Sequence, residues 1–203
     1  MSRICLLLAS ILMLLSSCTS KTFETKELMW KYLQDKNHNY LQEKNVNGYD
    51  FTLLYKPTDL LVDQELGDEV TSEKVAKLRE KYSQYIYFTL SMSRDNKELL
   101  STTPRNRQEF GAMVNELAFG MDKKVHVFTP KKDTLDLLDY VYPRMYGMSR
   151  ATTMLFVYPR DEKYLQEAYL NLTIGDLGTY TGEVKFKVPT KIIKNEPTIK
   201  FKK

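Results

Sequence analysis

Two histidines, His38 and His126, and two cysteines, Cys5 and Cys18, are the nitrogen and sulfur ligands that this 203-residue chain could offer a metal. The histidines lie far apart in the sequence, so carboxylates would have to do most of the work in a zinc site. Asp133, Asp136 and Asp139 recur every three residues, without the glycine turn and terminal glutamate of a calcium loop. If the segment is extended, the three cannot share a face, and they read as solvated charges. No metal and no cofactor is expected. Gly147-Met148-Ser149-Arg150-Ala151 begins like a nucleophile elbow, but Ala151 replaces the second glycine and leads into a strand rather than a helix. Gly175-Asp176-Leu177-Gly178 lies between two strands and opens no helix, which excludes a phosphate loop. Paired carboxylates of the glycosidase kind remain open, because their separation is spatial and 26 acidic residues offer many pairs.

One recurrence is more specific. Val141-Tyr142-Pro143-Arg144 returns as Val157-Tyr158-Pro159-Arg160, each time after an apolar run. Proline stops a strand's hydrogen-bond ladder, and arginine beside tyrosine suits stacking and recognition of carboxylate or phosphate. With Arg150 and the Tyr146-Gly147-Met148 loop between the copies, Tyr142, Arg144, Arg150, Tyr158 and Arg160 form a candidate interaction surface. The competing reading is that two strands merely end with the same punctuation, at opposite ends of a sheet. Residues 184–203 carry seven lysines against one acid, Glu196. Such lysines protect an exposed sheet edge, or else contact anionic head groups, cell-wall material or an acidic partner.

The amino terminus identifies a compartment. Arg3, the twelve-residue apolar run 4–15, and Leu15-Ser16-Ser17-Cys18 resemble the signal peptide and lipobox of bacterial lipoproteins. Twelve helical residues span roughly 18 Å, short of the ~30 Å hydrocarbon core, so a permanent span is not expected. The resemblance stops at residue 18. It implies cleavage before Cys18, acylation of that cysteine (palmitate-type chains), and attachment to the membrane; two or more acyl chains anchor stably. Thr19-Ser20 lack the aspartate that retains such proteins in the inner membrane. The outer membrane is therefore implied, with the periplasmic face favoured over the cell surface. The mature chain would keep no second cysteine for a disulfide. Its formal charge falls from +4 to +3 with the loss of Arg3, and nucleic acid is not an expected partner.

Around these residues the chain reads as one α+β domain over 26–203, behind a lipidated tether at 18–25: mainly antiparallel sheet or β-sandwich, with about three helices, mostly in the first half. Thr25 caps a first helix, and Thr71 or Ser72 opens another through Val75, Leu78 and Tyr82. A third is predicted from Pro104 to Met121, capped by Thr103, with Phe110, Met113, Val114, Leu117 and Met121 as a core stripe. Strands are predicted at residues 49–55 and 85–93, with Ile86, Phe88, Leu90 and Met92 facing the core. Further strands are predicted at 125–129, 135–142, 152–158, 168–174 and 183–188, with a short one near Ile199 and Phe201. Residues 154–158 should be central. The strand at 168–174 should be half exposed, because Tyr169, Asn171 and Thr173 alternate with apolar residues. The functional expectation is an envelope lipoprotein that binds or scaffolds without catalysis, a monomer in isolation, with a protein or cell-envelope partner. The alternatives are a tethered hydrolase of glycan or peptide and a glycan-binding or adhesive module.

Overall fold

A computed structural model describes residues 20–67 and 70–202. The predicted signal peptide and Cys18 lie outside them. Within the described residues the protein is mixed α+β, with seven helices and eleven strands that are mostly antiparallel.

The first sheet is built from a hairpin. β2 (Leu41–Val46) and β3 (Tyr49–Tyr55) join through Asn47 and Gly48, both left-handed (φ 51° and 78°), as a two-residue turn requires. β4 (Tyr85–Arg94), β8 (Thr152–Pro159) and β7 (Asp139–Val141) complete the order β2-β3-β4-β8-β7. Alternation puts Phe51, Leu53 and Tyr55, then Ile86, Phe88, Leu90 and Met92, then Met154, Phe156 and Tyr158 on one buried face. The second sheet runs β10 (Val184–Pro189), β9 (Tyr169–Ile174), β5 (Val125–Phe128), β6 (Thr134–Leu135). Its Phe186, Leu172, Ile174 and Val127 belong to the same apolar cluster as the first sheet's. The Gln42 side chain on β2 donates to Lys187 O on β10 at 2.9 Å, joining one edge of each sheet. At the opposite edges the chain itself passes from β6 into β7.

α1 (Lys26–Gln34) begins at Thr25, whose hydroxyl accepts the Leu28 N–H, and α3 (Ser72–Ser83) begins at Thr71 in the same way. The other helices depart from the expected three. α2 (Thr58–Leu66) follows Pro57 directly, and Thr58, Asp59, Leu60, Leu61, Val62 and Leu66 are all buried. A helix covered on several sides has no amphipathic stripe to betray it. α4 (Leu99–Thr102) ends at Thr103, so Thr103 is a carboxyl-terminal cap and not the start of the next helix. α5 (Arg107–Phe119) starts at Asn106, which accepts from Glu109 N while Glu109 accepts from Arg105 N. Met113, Leu117 and Met121 of its stripe are buried, but Phe110 is exposed. α6 (Glu162–Leu165) and α7 (Thr190–Lys194) lie in the second half.

The sheets bring four corrections. The strand expected at 135–142 is two short strands, one in each sheet. β8 is an inner strand, but β4 holds the centre of its sheet. β9 is not half exposed: Asn171 and Thr173 are 5% and 1% exposed. Asn171 and Thr173 sit between Lys187 and Phe128 and between Lys185 and His126. Lys185 reaches across β9 to place its Nζ 5.3 Å from the Phe128 ring centre, so its aliphatic stem roofs that face. Finally, residues 22–23, expected within the lead-in segment 18–25, form a strand. β1 (Thr22–Phe23) pairs in parallel with β11 (Thr198–Ile199).

Candidate functional site

β7 runs antiparallel to β8, with Val141 opposite Leu155. Tyr142 and Arg144 therefore emerge beside the start of β8, where Arg150 also lies. Tyr158 and Arg160 lie at its far end, an eight-residue strand or roughly 27 Å away. The five candidate residues do not form one surface. Tyr158 is fully buried, its hydroxyl without a hydrogen-bond partner among the described residues. Burial alone holds that phenol far above its ordinary pKa. Arg160 is structural: its guanidinium bonds Glu196 Oε1 and Ile193 O, each at 2.6 Å. Glu196 also accepts from Tyr55 Oη, Thr58 N and Thr58 Oγ1. Burial pushes the Tyr55 phenol well above its usual value, and the Glu196 charge adds to this.

The other end is a built loop. Glu98, 3% exposed, accepts the Gly147 N–H at Oε2 and the Ser149 N–H at Oε1, both at 3.0 Å. The next backbone N–H, of Leu99, is taken by Thr152 Oγ1 at 2.9 Å, which fixes Glu98 to the start of β8. Met148 N donates to Met145 O at 3.0 Å, and both central residues of that turn are left-handed, Tyr146 at φ 53° and Gly147 at φ 84°. This is the primed turn geometry. Glycine suits its position because L-residues rarely adopt that φ. Tyr146 holds the same conformation with a large side chain. The tip is apolar and open, with Tyr146 80% exposed, Met148 79% and Met145 half exposed. Arg144 and Arg150 flank it, exposed and without an ion pair to any described residue. Tyr142 stands half-buried beneath. Burial first, then the nearby Glu98 charge, holds its phenol above the usual value.

Ser149 Oγ accepts the Ala151 N–H at 3.3 Å within its own loop, and His38 Nδ1 sits on Tyr32 O at 2.8 Å, elsewhere in the fold. Among the described residues no three His, Cys, Asp or Glu side chains gather to hold a metal ion. The Gly175–Gly178 segment is a closed loop. Burial would raise the Asp176 pKa, but N–H bonds from Gly182, Gly178, Tyr180 and Thr179 outweigh it and hold the carboxyl below its ordinary value. No described helix is long and apolar enough to cross a membrane.

No family model matches the chain, and no curated protein matches it. A solved structure from Burkholderia pseudomallei, titled a novel protein of unknown function, is similar with a TM-score of 0.41 and 6% identity, the match covering 83% of this chain and 87% of that one. A likeness at that level carries no argument about activity.

Sequence reasoning missed Glu98, the residue that shapes the loop. Its neighbours Asp95, Asn96 and Lys97 are all exposed, and nothing in its spacing separates it from them. The usable signal was Gly147, since glycine suits a left-handed turn position.

Proposed function

We propose that this protein is a lipid-anchored envelope protein, attached through Cys18, that captures a protein partner without catalysis through the loop held by Glu98. The observation that carries this reading is an apolar tip, Tyr146 and Met148, held out to solvent by a buried carboxylate that serves no other backbone or cation in the loop. Exposed aromatic and methionine side chains between two arginines have the composition of an interface centre. Orientation supports it as well. β1 leads from the anchor to β11, whose Ile199 N–H bonds Asp59, close to the Glu196–Arg160 end of the sheet. The tip occupies the other end, turned away from the lipid.

The test is capture from detergent-solubilised envelopes, beside mass spectrometry of the mature amino terminus. The lipidated wild type should retain a stoichiometric protein, and the Tyr146→Ala, Met148→Ala double variant should lose it with an unchanged melting temperature. Equal capture by both would overturn the role of the tip. A mature terminus without acyl chains at Cys18 would overturn the anchor.

A further inference from the structure

A concavity lies beside Lys21, near the start of the described residues. A groove of about 310 Å³ opens between the end of α1 and α7, lined by Lys21, Lys191, His38, Asn37, Asn39 and Asn195, over Tyr32 and Tyr40. None of its lining residues is acidic, and neither Lys21 nor Lys191 pairs with a described carboxylate. Lys21 Nζ is held 4.3 Å from the Tyr32 ring centre, and the His38 ring stacks on that same tyrosine at 3.7 Å. Tyr32 O can only accept, so His38 Nδ1 carries the proton it donates there and Nε2 is left without a described partner. Asp35 lies beside His38, its Oδ2 3.9 Å from Nδ1, while its Oδ1 accepts the Asn37 backbone N–H and side-chain Nδ2, both at 2.9 Å. Two lysines without a described carboxylate partner, with imidazole and amides around a groove that has no acidic lining residue, suit an oxyanion such as a phosphate.

Position indicates the source of that phosphate. Lys21 stands three residues after Cys18, so an extended chain lets it lie at most roughly 11 Å from an acylated cysteine. We propose that this groove receives the phosphate of an anionic lipid headgroup and seats the domain on the bilayer beside its own anchor. The lipid assignment rests on the anchoring reading above; the anion chemistry of the groove does not.

The test uses a chain beginning at residue 18 with Cys18→Ser, so that no acyl chain contributes. Among the described residues the apolar core and the hydrophobic side chains packed on it lie between residues 23 and 201, and this chain keeps all of them. Vesicles of phosphatidylglycerol in phosphatidylcholine should retain it, and vesicles of phosphatidylcholine alone should not. Each lysine near an anionic surface adds roughly five-fold in affinity, so Lys21→Ala with Lys191→Ala should weaken retention about twenty-five-fold. Lys97→Ala with Lys123→Ala, exposed residues outside the groove, changes the net charge equally and should cost far less. Equal losses in the two pairs would reduce the effect to net charge and overturn the site. Inorganic phosphate, followed through the His38 and Asn39 resonances, is the second probe. Saturable binding of phosphate without any preference for the anionic vesicles would make free phosphate the ligand and overturn the headgroup assignment. Lipidation of Cys18 in the wild type is decided separately by its mature terminus.

Discussion

The two ends of β8 carry the same four residue types and opposite physics. At the Arg160 end, carboxylates withdrawn from solvent meet cations: the mostly covered Glu196 binds Arg160, and the buried Asp59 binds Arg79 through two bonds of 2.8 and 2.6 Å. At the Arg144 end the buried carboxylate, Glu98, meets only backbone N–H groups, and the arginines stay in water. A Tyr-Pro-Arg strand end is thus a neutral piece of punctuation. What faces it decides whether the arginine locks the fold or is left for another molecule.

Breaking the locked end should have the largest effect. Glu196→Ala leaves Arg160, Tyr55 and Thr58 without their shared acceptor, and removing one partner of a buried pair costs about 3–5 kcal/mol. Arg160→Ala should fall in the same range, measured by denaturant unfolding. A loss below about 1 kcal/mol for both would erase the distinction between the ends. Glu98→Ala comes next. Two N–H groups lose their acceptor in a site that water can partly reach, so about 1–3 kcal/mol is expected. Amide exchange at Gly147 and Ser149 should rise, and partner capture should fall with it. Glu98→Gln keeps one acceptor oxygen and should recover part of both.

Legibility in the sequence follows the same divide. Ile86, Phe88, Leu90 and Met92 alternate strictly, and all four are fully buried, because a half-buried strand writes its environment into a period of two. α2 left no such trace, since Thr58, Asp59 and Leu60 to Val62 are buried in succession. The Glu98 contact joins residues 49 and 51 positions apart. A contact of that separation is set by topology, and no local pattern records it. Likewise the Tyr158 and Tyr142 repeats are indistinguishable as text, although one ring is in the core and the other near the surface.

Smaller effects sharpen the open end. Gly147→Ala must adopt a φ of 84°, and although the nearest atom to an added Cβ, Ser101 Oγ, is 3.7 Å away, the backbone should cost about 1 kcal/mol. Arg144→Ala with Arg150→Ala should change stability by less than ~0.5 kcal/mol, as exposed charges do, while weakening capture. Unchanged capture together with unchanged stability would remove both arginines from the interaction. Chelator and reductant should leave the melting transition where it is; a large fall with chelator would reveal a carboxylate site for a metal.

The parallel pairing of β1 with β11 also imposes an order of events. Thr22 meets Thr198, 176 positions further along the chain, and Glu24 is clasped by Lys200 and Lys202. Residues 22–24 cannot dock until residues 198–202 have been synthesised. On the proposed lipoprotein reading, residues 22–24 would stay undocked for as long as translocation lasts, their backbone accessible meanwhile to the enzymes that would modify and cut at Cys18. Completion of the fold is then the step that withdraws that backbone.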